Sequence, residues 1–316
     1  MNVMNIFYVL CITLYPVYVL STIKHDPLLV VVIMVKDEDT VIDATLRPFV
    51  KAGIDSFFVF DTGSTDDTIA VAKKIFADNT IVHGYIETET FIDFATSRNR
   101  ALERAQQLFP YAEFMIMIDA EWYLNDVQGL IDFCYRCLAC NDIYTTYLIR
   151  IINDGVGFYV PRLIRCGCNA QFEGVVHETI ISQTRVKVPP TIYFEYRPTK
   201  YGTSKTRKRH QKDKELLYKE YTQKPSPRTL FYLAFTCEVL GDLQEAYDLY
   251  KQRIQYTSFD EEDFMSYYRL AQTIEKLSYV NSSYTWEEAL YYYIKDAKAG
   301  DTLGNGIAGL WAVVKQ

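Results

Sequence analysis

The chain has 316 residues, a length that favours two domains over one. Hydrophobic residues make up 49% of the sequence, which excludes a disordered protein and allows sizeable buried cores. The formal net charge is −7, so a surface that binds nucleic acid is disfavoured as the main function. We therefore expect a folded, acidic protein that has no nucleic acid among its partners.

The first 23 residues differ in composition from the remainder of the chain. Residues 6–20 are almost entirely apolar, but this run is shorter than the roughly 20 residues that a membrane-spanning helix needs. Its length is typical of the apolar core of a secretory signal, and Val19-x-Ser21 fits a cleavage site, although no Lys or Arg precedes the run. We predict a signal peptide or signal-anchor at residues 1–23, with a secretory location or membrane association through residues 6–20. A buried strand in a cytoplasmic protein is the alternative.

Strand and helix patterns then alternate up to residue 119. The continuous apolar run PLLVVVIMV, residues 27–35, is typical of a strand that is buried on both faces. After it we predict a helix at 40–52, a strand at 56–60, a helix after Ser64, a short strand near 81–85, a helix at 95–108 and a strand at 113–119. This alternation predicts an α/β protein with a doubly wound, mostly parallel sheet. No G-x-G-x-x-G follows the first strand, so a dinucleotide-binding Rossmann domain is disfavoured.

Three of the seven cysteines have the spacing C-x2-C-x2-C: Cys134, Cys137 and Cys140. The surrounding segment LIDFCYRCLAC has helical apolar spacing, and no fourth cysteine follows nearby. We therefore interpret the three residues as small hydrophobic side chains on the buried face of a helix, and a metal site is the alternative.

The rest of the chain changes character twice. Residues 145–197 read as strands joined by loops, and after residue 202 the sequence becomes basic and then helical. Within the helical part, residues 230–250 place small and large residues as a tetratricopeptide unit does, and a looser second copy follows. We predict a sheet domain at 24–202 and an all-α helical-repeat domain at 203–316, where a protein partner is expected to bind.

Acidic residues follow three strands of the predicted sheet. The first strand ends in VKDED, the second in DTG with Asp61, and a later one in IDAEW with Asp119 and Glu121. Because the carboxyl ends of parallel strands meet at one edge of a sheet, we expect these side chains to lie close together. Asp119 and Glu121 are two residues apart, so both can turn toward one hard divalent cation. For Asp61 a structural role is the alternative, since Ser64 and Asp67 form a capping-box pattern just after it.

Four segments between residues 29 and 124 have an order and spacing found together in one enzyme family. They are VIMVKDED, FVFDTGSTDDT, FIDFATSRNRALERA and FMIMIDAEWYL. This part of the chain resembles the nucleotide-binding half of a family 2 glycosyltransferase of the GT-A fold. RLIR at 162–165 and FEGVVHE at 172–178 resemble elements of members that carry C-terminal tetratricopeptide repeats.

The resemblance implies a GT-A type sheet, an all-α helical-repeat region after it, and an inverting sugar transferase. Such an enzyme uses a nucleotide sugar, here a UDP-sugar, together with Mn²⁺ or Mg²⁺. The acceptor would be a hydroxyl group of a glycan, a protein or a lipid. A carboxylate would take the proton of that hydroxyl while it attacks the anomeric carbon.

The resemblance also implies roles for particular residues at the nucleotide. Val35 and Lys36 would border the uracil through backbone groups. Asp61 would face the base or the ribose, with Thr62 beside it. Arg98, in SRN, would approach the diphosphate or the sugar with its bidentate guanidinium fork; a surface helix charge is the alternative.

Asp119 and Glu121 would be the metal-binding pair. The family usually has D-x-D at these positions, and this chain has Glu as the second acid. A longer carboxylate still binds a metal, but with changed geometry. Because Glu121 replaces the second Asp, a second hypothesis stays open: a catalytically degenerate sugar-nucleotide domain that acts as a helical-repeat interaction protein. A nucleotidyltransferase is disfavoured, because no Gly-rich phosphate loop follows the first strand.

The segment GVVHE, residues 174–178, supplies two further candidates. If it is extended, His177 and Glu178 point to opposite faces and have different roles. We expect His177 to complete the metal or diphosphate site and Glu178 to be the base that deprotonates the acceptor. The reverse assignment and a structural His–Glu pair that braces the loop are the alternatives.

Overall fold

The computed structural model describes residues 26–153, 156–197, 203–257 and 260–301. The predicted signal segment at 1–23 lies outside these residues, and so does the predicted boundary at residue 202. Among the helices in the described ranges, none combines the length and the apolar character that a membrane span requires.

The chain begins with strands and helices in alternation and ends with helices alone. The strands are β1 (Leu29–Val35), β2 (Ser56–Asp61), β3 (His83–Thr88), β4 (Phe114–Ile118), β5 (Trp122–Leu124), β6 (Thr146–Asn153), β7 (Val156–Arg165), β8 (Gln171–Glu173), β9 (Thr179–Ile181), β10 (Arg185–Lys187) and β11 (Tyr193–Tyr196). The helices are α1 (Ile42–Lys51), α2 (Thr68–Asp78), α3 (Phe94–Leu108), α4 (Val127–Ala139), α5 (Thr203–Gln223), α6 (Pro227–Leu240), α7 (Leu243–Arg253), α8 (Asp260–Ser278) and α9 (Trp286–Asp301).

One large mixed sheet has the strand order β3-β2-β1-β4-β7-β6-β11-β5, and β10 pairs with β6. The first four strands in this order run parallel to one another. The predicted α/β class and mostly parallel sheet are therefore confirmed. The pattern of alternation did not predict the antiparallel strand β7, which pairs with both β4 and β6. This pairing brings Arg162 beside the end of β4.

Strand β1 is buried on both faces, as its continuous apolar sequence predicts. Val31 and Ile33 belong to a core that also contains residues of α1 and α4, whereas Val30 and Val32 belong to a second core with Ala101 of α3. Because side chains alternate along a strand, both faces of the sheet must be covered by helices. The carboxyl ends of β1, β2 and β4 lie at one edge of the sheet.

The cysteines of the C-x2-C-x2-C segment lie on α4. Cys134 and Cys137 are buried in the core and Cys140 is exposed. Burial raises the pKa of the Cys137 thiol to about 12, so it stays protonated at neutral pH. Two of the three cysteines therefore pack as small hydrophobic residues, as predicted.

Helices α5 to α9 share a separate apolar core. Helix α6 shows how the local sequence defines its ends: Ser226 caps its first turn by accepting the N–H of Thr229 at 3.0 Å, and Gly241 ends it in the left-handed conformation. Leu233, Ala234, Ala246 and Tyr250, at four of the repeat positions, are fully buried. The helices are present, and their assignment as tetratricopeptide repeats stays a prediction.

The helical core also holds the segment that follows β8. Val176 is buried among Leu217 and Leu230 of the helical core. Arg228 of α6 donates a hydrogen bond to the backbone carbonyl of His177 at 3.0 Å. The helices therefore position residues 174–178, which carry Glu178.

Asp213 of α5 makes stability depend on pH. Its side chain is only 9% exposed, and burial raises its pKa to about 6, an effect that Arg209 partly offsets. Because this folded-state pKa lies above the unfolded one, stability falls as the pH rises from about 4 through 6. We expect Asp213→Asn to raise the free energy of unfolding at pH 8 by on the order of 2 kcal/mol and to change it little at pH 4. Urea unfolding at both pH values measures this, and an equal effect at both would contradict it.

Candidate active site

Asp61 ends β2 and is fully buried. Its carboxylate accepts the backbone N–H groups of Gly63, at 3.1 Å, and Ser64, at 3.0 Å. Gly63 has a φ of +100°, which only glycine adopts without strain. The carboxylate therefore holds the tight turn between β2 and α2, and this explains why an apolar strand stops on an acid.

The capping box, which was the structural alternative for this turn, does not form. Helix α2 begins only at Thr68, and the side chain of Asp67 makes no capping hydrogen bond within the described residues. The hydroxyl of Ser64 instead accepts the backbone N–H of Asp37, 2.9 Å away, which follows β1. Ser64 thus joins the ends of β1 and β2 rather than the start of a helix.

The four residues predicted to face the nucleoside lie at the same sheet edge. Val35 and Asp61 are partners in the parallel register of β1 and β2. The carbonyl of Val35 accepts the N–H of Thr62 at 2.9 Å and its hydroxyl at 3.1 Å. Lys36 follows Val35 and is exposed. The structure brings these residues together, and their contact with a base stays a prediction.

Two buried arginines and two carboxylates form a cluster beside the end of β4, in which the Asp119 side chain is 26% exposed and the Glu178 side chain 8%. Arg98 of α3 donates from Nε to Oε1 of Glu178 at 2.6 Å and from Nη2 to Oδ1 of Asp119. Arg162 of β7 lies between the same two acids: its Nη2 is 3.2 Å from Oε1 of Glu178 and 3.5 Å from Oδ2 of Asp119. We call these four residues the ion cluster.

Two aromatic rings pack against the arginines of the ion cluster. The guanidinium of Arg162 lies 4.7 Å from the ring centre of Trp122 and 5.4 Å from that of Phe172. The guanidinium of Arg98 lies 5.7 Å from the same Phe172 ring. Cation–π contacts of this kind restrain the orientation of the arginines and exclude water from them.

The ion cluster keeps its acids ionised. Burial acts to raise the pKa of Asp119 and of Glu178, but the neighbouring guanidinium groups outweigh it and hold both pKa values below the usual range. Burial, together with the adjacent charge of Arg98, lowers the pKa of Arg162. A carboxylate held in this way is a weak base, so Glu178 needs a change of partner before it can accept a proton.

His177 and Glu178 contact different elements, as predicted, although not because they are extended. His177 has a φ of +54° in a bend, and its ring stacks on Tyr232 of α6 at 4.2 Å. Desolvation lowers the pKa of the His177 ring to about 4, although the residue as a whole is exposed. His177 is therefore a neutral side chain packed on the helical core, while Glu178 enters the ion cluster.

The three predicted metal ligands are not assembled into one group. Within the described residues, no set of three or more His, Cys, Asp or Glu side chains is placed to hold a metal ion. Both carboxylate oxygens of Asp119 face arginines, and Glu121 interacts with Tyr196 of β11. A metal role for Asp119 and Glu121 stays a prediction, and His177 lies against α6 instead.

Sequence reasoning missed Arg162, Trp122 and Phe172 as members of the site. All three lie in segments that carried the family resemblance, but only Arg162 carried a physical signal of its own, a charged residue within the apolar strand pattern GFYVPRLIR. Such a residue is buried only when it is paired. Its partners, Asp119 and Glu178, are distant in sequence, so the pattern could not identify them.

Gly174 controls the approach of Glu178 to the ion cluster. Its φ is +100°, and a Cβ there would lie 3.3 Å from the carbonyl oxygen of Val176. We expect Gly174→Ala to shift the segment and to lower activity at this site about 10-fold or more. Gly167→Ala is the matched control, since Gly167 also has a positive φ but open space around it. Each should cost about 1 kcal/mol of stability, and equal activity of the two variants would contradict the prediction.

A scan of the chain against protein-family models and a search of curated proteins both gave no match. Solved structures do match. The mannosyltransferase PcManGT from Pyrobaculum calidifontis, in complex with GDP-Man and Mn²⁺, is 15% identical; the match covers 86% of each chain with a TM-score of 0.43.

Two further solved structures match over shorter lengths. Glucosyl-3-phosphoglycerate synthase from Mycobacterium tuberculosis, in complex with Mn²⁺ and UDP-glucose, is 15% identical over 44% of this chain and 49% of that one, with a TM-score of 0.29. GalNAc-T7 with UDP, GalNAc and Mn²⁺ is 16% identical over 53% of this chain and 31% of that one, with a TM-score of 0.28.

Proposed function

We propose that the protein is a glycosyltransferase of the GT-A type that moves a sugar from a nucleotide sugar to an acceptor hydroxyl. The observation that carries the proposal is the arrangement at one sheet edge. The ends of β1 and β2 bring Val35, Asp61 and Thr62 together, and the end of β4 carries Asp119 into the ion cluster. In open α/β sheets this edge is where nucleotides bind.

The nucleoside is proposed to lie against the ends of β1 and β2. Val35 and Lys36 would border the base through backbone groups, and Thr62 would line the same wall. The carboxylate of Asp61 is committed to the N–H groups of its own turn. We therefore propose that Asp61 keeps the turn after β2 rigid where that turn faces the base or the ribose.

The diphosphate is proposed to lie over Asp119 and Arg98. Asp119 and Glu121 offer the carboxylate oxygens that a hard divalent cation prefers, so the pair fits Mn²⁺ or Mg²⁺ in kind. Phosphate oxygens and water would complete the ligand set. When bound, the ion offsets the charge of the departing diphosphate.

Glu178 is proposed as the base that takes the proton of the acceptor hydroxyl, giving inversion at the anomeric carbon. The support is its placement: Arg228 of α6 holds the segment 174–178 so that Glu178 lies beside Arg98, and Glu178 can act as the base once it has lost its arginine partners. The stacking of His177 on Tyr232 favours the alternative in which His177 braces this segment.

A second candidate function is a sugar-nucleotide-binding protein that lacks activity. The observation that favours it is the engagement of both Asp119 oxygens by arginines, together with Glu121 in place of the usual Asp. In that case the helices α5 to α9 would carry the function by binding a protein partner. If the protein is an enzyme, we propose the same helices, α5 to α9, as the site where a protein partner binds.

The experiment is a panel of UDP- and GDP-sugars tested with the full chain for binding and for slow hydrolysis, with Mn²⁺, with Mg²⁺ and with EDTA. Metal-stimulated hydrolysis of one donor supports the transferase. Binding without hydrolysis in any condition supports the inactive binding protein. The absence of binding to every nucleotide sugar would contradict both.

Two further proposals concern residues 1–23 and the domain boundary at residue 202. We propose that residues 1–23 direct the protein to the secretory pathway or to a membrane, and that the sheet domain ends at residue 202. Expression with and without residues 1–23, followed by cell fractionation, tests the first. Limited proteolysis near residue 202 tests the second.

A further inference from the structure

Arg98 and Arg162 each hold one terminal nitrogen without a hydrogen-bond acceptor. The Nη1 atoms of both are buried, and no described residue accepts a hydrogen bond from either. The side chains are only 4% and 8% exposed. A buried charged donor without an acceptor costs free energy, so these nitrogens require an explanation.

The charges of the ion cluster indicate what kind of group would satisfy these donors. Two guanidinium groups lie close enough that the charge of Arg98 acts on the pKa of Arg162. Two separate anionic groups now compensate them, and each of these, Asp119 and Glu178, faces both arginines. A ligand that replaces them must therefore carry two anionic groups close together.

The aromatic rings keep the two arginines in place when their partners change. Phe172 lies under both guanidinium groups, and Trp122 lies beside Arg162. Planar guanidinium forks held in this way are preorganised to donate pairs of hydrogen bonds to phosphate oxygens. Lysine would supply the charge without the fork.

We propose that Arg98 and Arg162 together bind the diphosphate of the donor nucleotide, which replaces Asp119 and Glu178 as their partner. The inference rests on the proposed function and adds Arg162 to its site. The Nη and Nε groups that now face carboxylates, together with the two free Nη1 atoms, supply donors to both phosphate groups. Replacement frees Asp119 for a cation and Glu178 for the acceptor, so donor binding itself prepares the site.

The test is binding of UDP, inorganic pyrophosphate and uridine to the full chain by calorimetry, and by ligand-observed NMR where binding is weak. Arg162→Met is expected to weaken UDP and pyrophosphate binding about 10- to 100-fold and to leave uridine binding unchanged. Arg162→Lys is expected to recover part of this loss. Measurement in EDTA and again with Mn²⁺ separates the arginines from any metal.

Arg165→Met is the matched control. Arg165 lies on the same strand, over the ring of Phe114 at 4.8 Å and 4.0 Å from Asp142, and its Nη1 is likewise buried without a hydrogen-bond acceptor among the described residues. It differs from Arg162 in that its contacts are with Phe114 and Asp142 and not with the ion cluster. The Arg165→Met substitution should leave the affinity for UDP unchanged. Thermal unfolding of each variant shows whether it is folded.

Two results would overturn the inference. One is unchanged UDP and pyrophosphate affinity in both Arg162 variants, and the other is an equal loss for uridine and UDP, which indicates a purely structural residue. If the wild type binds pyrophosphate through Arg162 but binds no nucleotide sugar, the diphosphate-binding role of Arg162 is retained and the proposed transferase function is wrong.

Discussion

Asp119→Asn is expected to reduce sugar transfer by at least about 10²-fold. The substitution removes a charged oxygen from the end of β4, where we propose that Asp119 binds the divalent cation. It also removes one of the two negative charges that compensate Arg98 and Arg162. Because both guanidinium groups are buried, we expect a loss of about 3 kcal/mol in the free energy of unfolding as well.

Transfer rates and urea unfolding measure the two effects, and calorimetry with Mn²⁺ and UDP tests the metal role directly. Glu195→Gln is the control, since Glu195 is an exposed acid paired with Arg197 at 2.6 Å. Exposed pairs contribute roughly 0–1 kcal/mol, so this variant should match the wild type in both measurements. Full activity and unchanged Mn²⁺-dependent UDP affinity in Asp119→Asn would remove the residue from the site.

Glu178→Gln is expected to retain nucleotide affinity and to lose transfer by about 10²- to 10⁴-fold, the usual contribution of a general base. Glutamine has nearly the same shape and its amide oxygen can still accept from Arg98 and Arg162, but it cannot take a proton. Like Asp119→Asn, the substitution removes one of the two negative charges that compensate the buried guanidinium groups, so we expect a similar loss of about 3 kcal/mol in the free energy of unfolding. Affinity for UDP does not decrease, because the substitution removes a negative charge that competes with the diphosphate for the arginines. Calorimetry and transfer rates on the same preparations separate the two quantities.

Glu173→Gln supplies the control for this experiment. Glu173 ends β8 a few residues earlier and is exposed, so its replacement should affect neither binding nor transfer. If Glu178→Gln transfers sugar at nearly the wild-type rate, Glu178 is not the base. Asp37, Glu38 and Glu121, which follow β1 and β4, are then the next candidates.

The first half of the fold could be predicted closely because its signals are local. The helix predicted at 95–108 spans Phe94–Leu108, and the strand predicted at 113–119 spans Phe114–Ile118. A strand that is buried on both faces needs an apolar residue at every position, so the sequence of β1 was enough to predict it. The same locality explains the error at Ser64: a capping-box pattern describes a few neighbouring residues, while its true partner is the backbone of Asp37.

The sequence by itself determined the α/β class, the parallel strands β1, β2 and β4, and the acidic residues at their ends, because burial patterns and strand direction are written in short stretches of chain. Only the tertiary structure decided that β7 runs antiparallel beside β4 and that α6 holds the segment carrying Glu178. These contacts join Arg98, Asp119, Arg162 and Glu178, four residues from four separate parts of the chain. Which buried charges neutralise one another depends on distances in space, and no periodicity in the sequence records them.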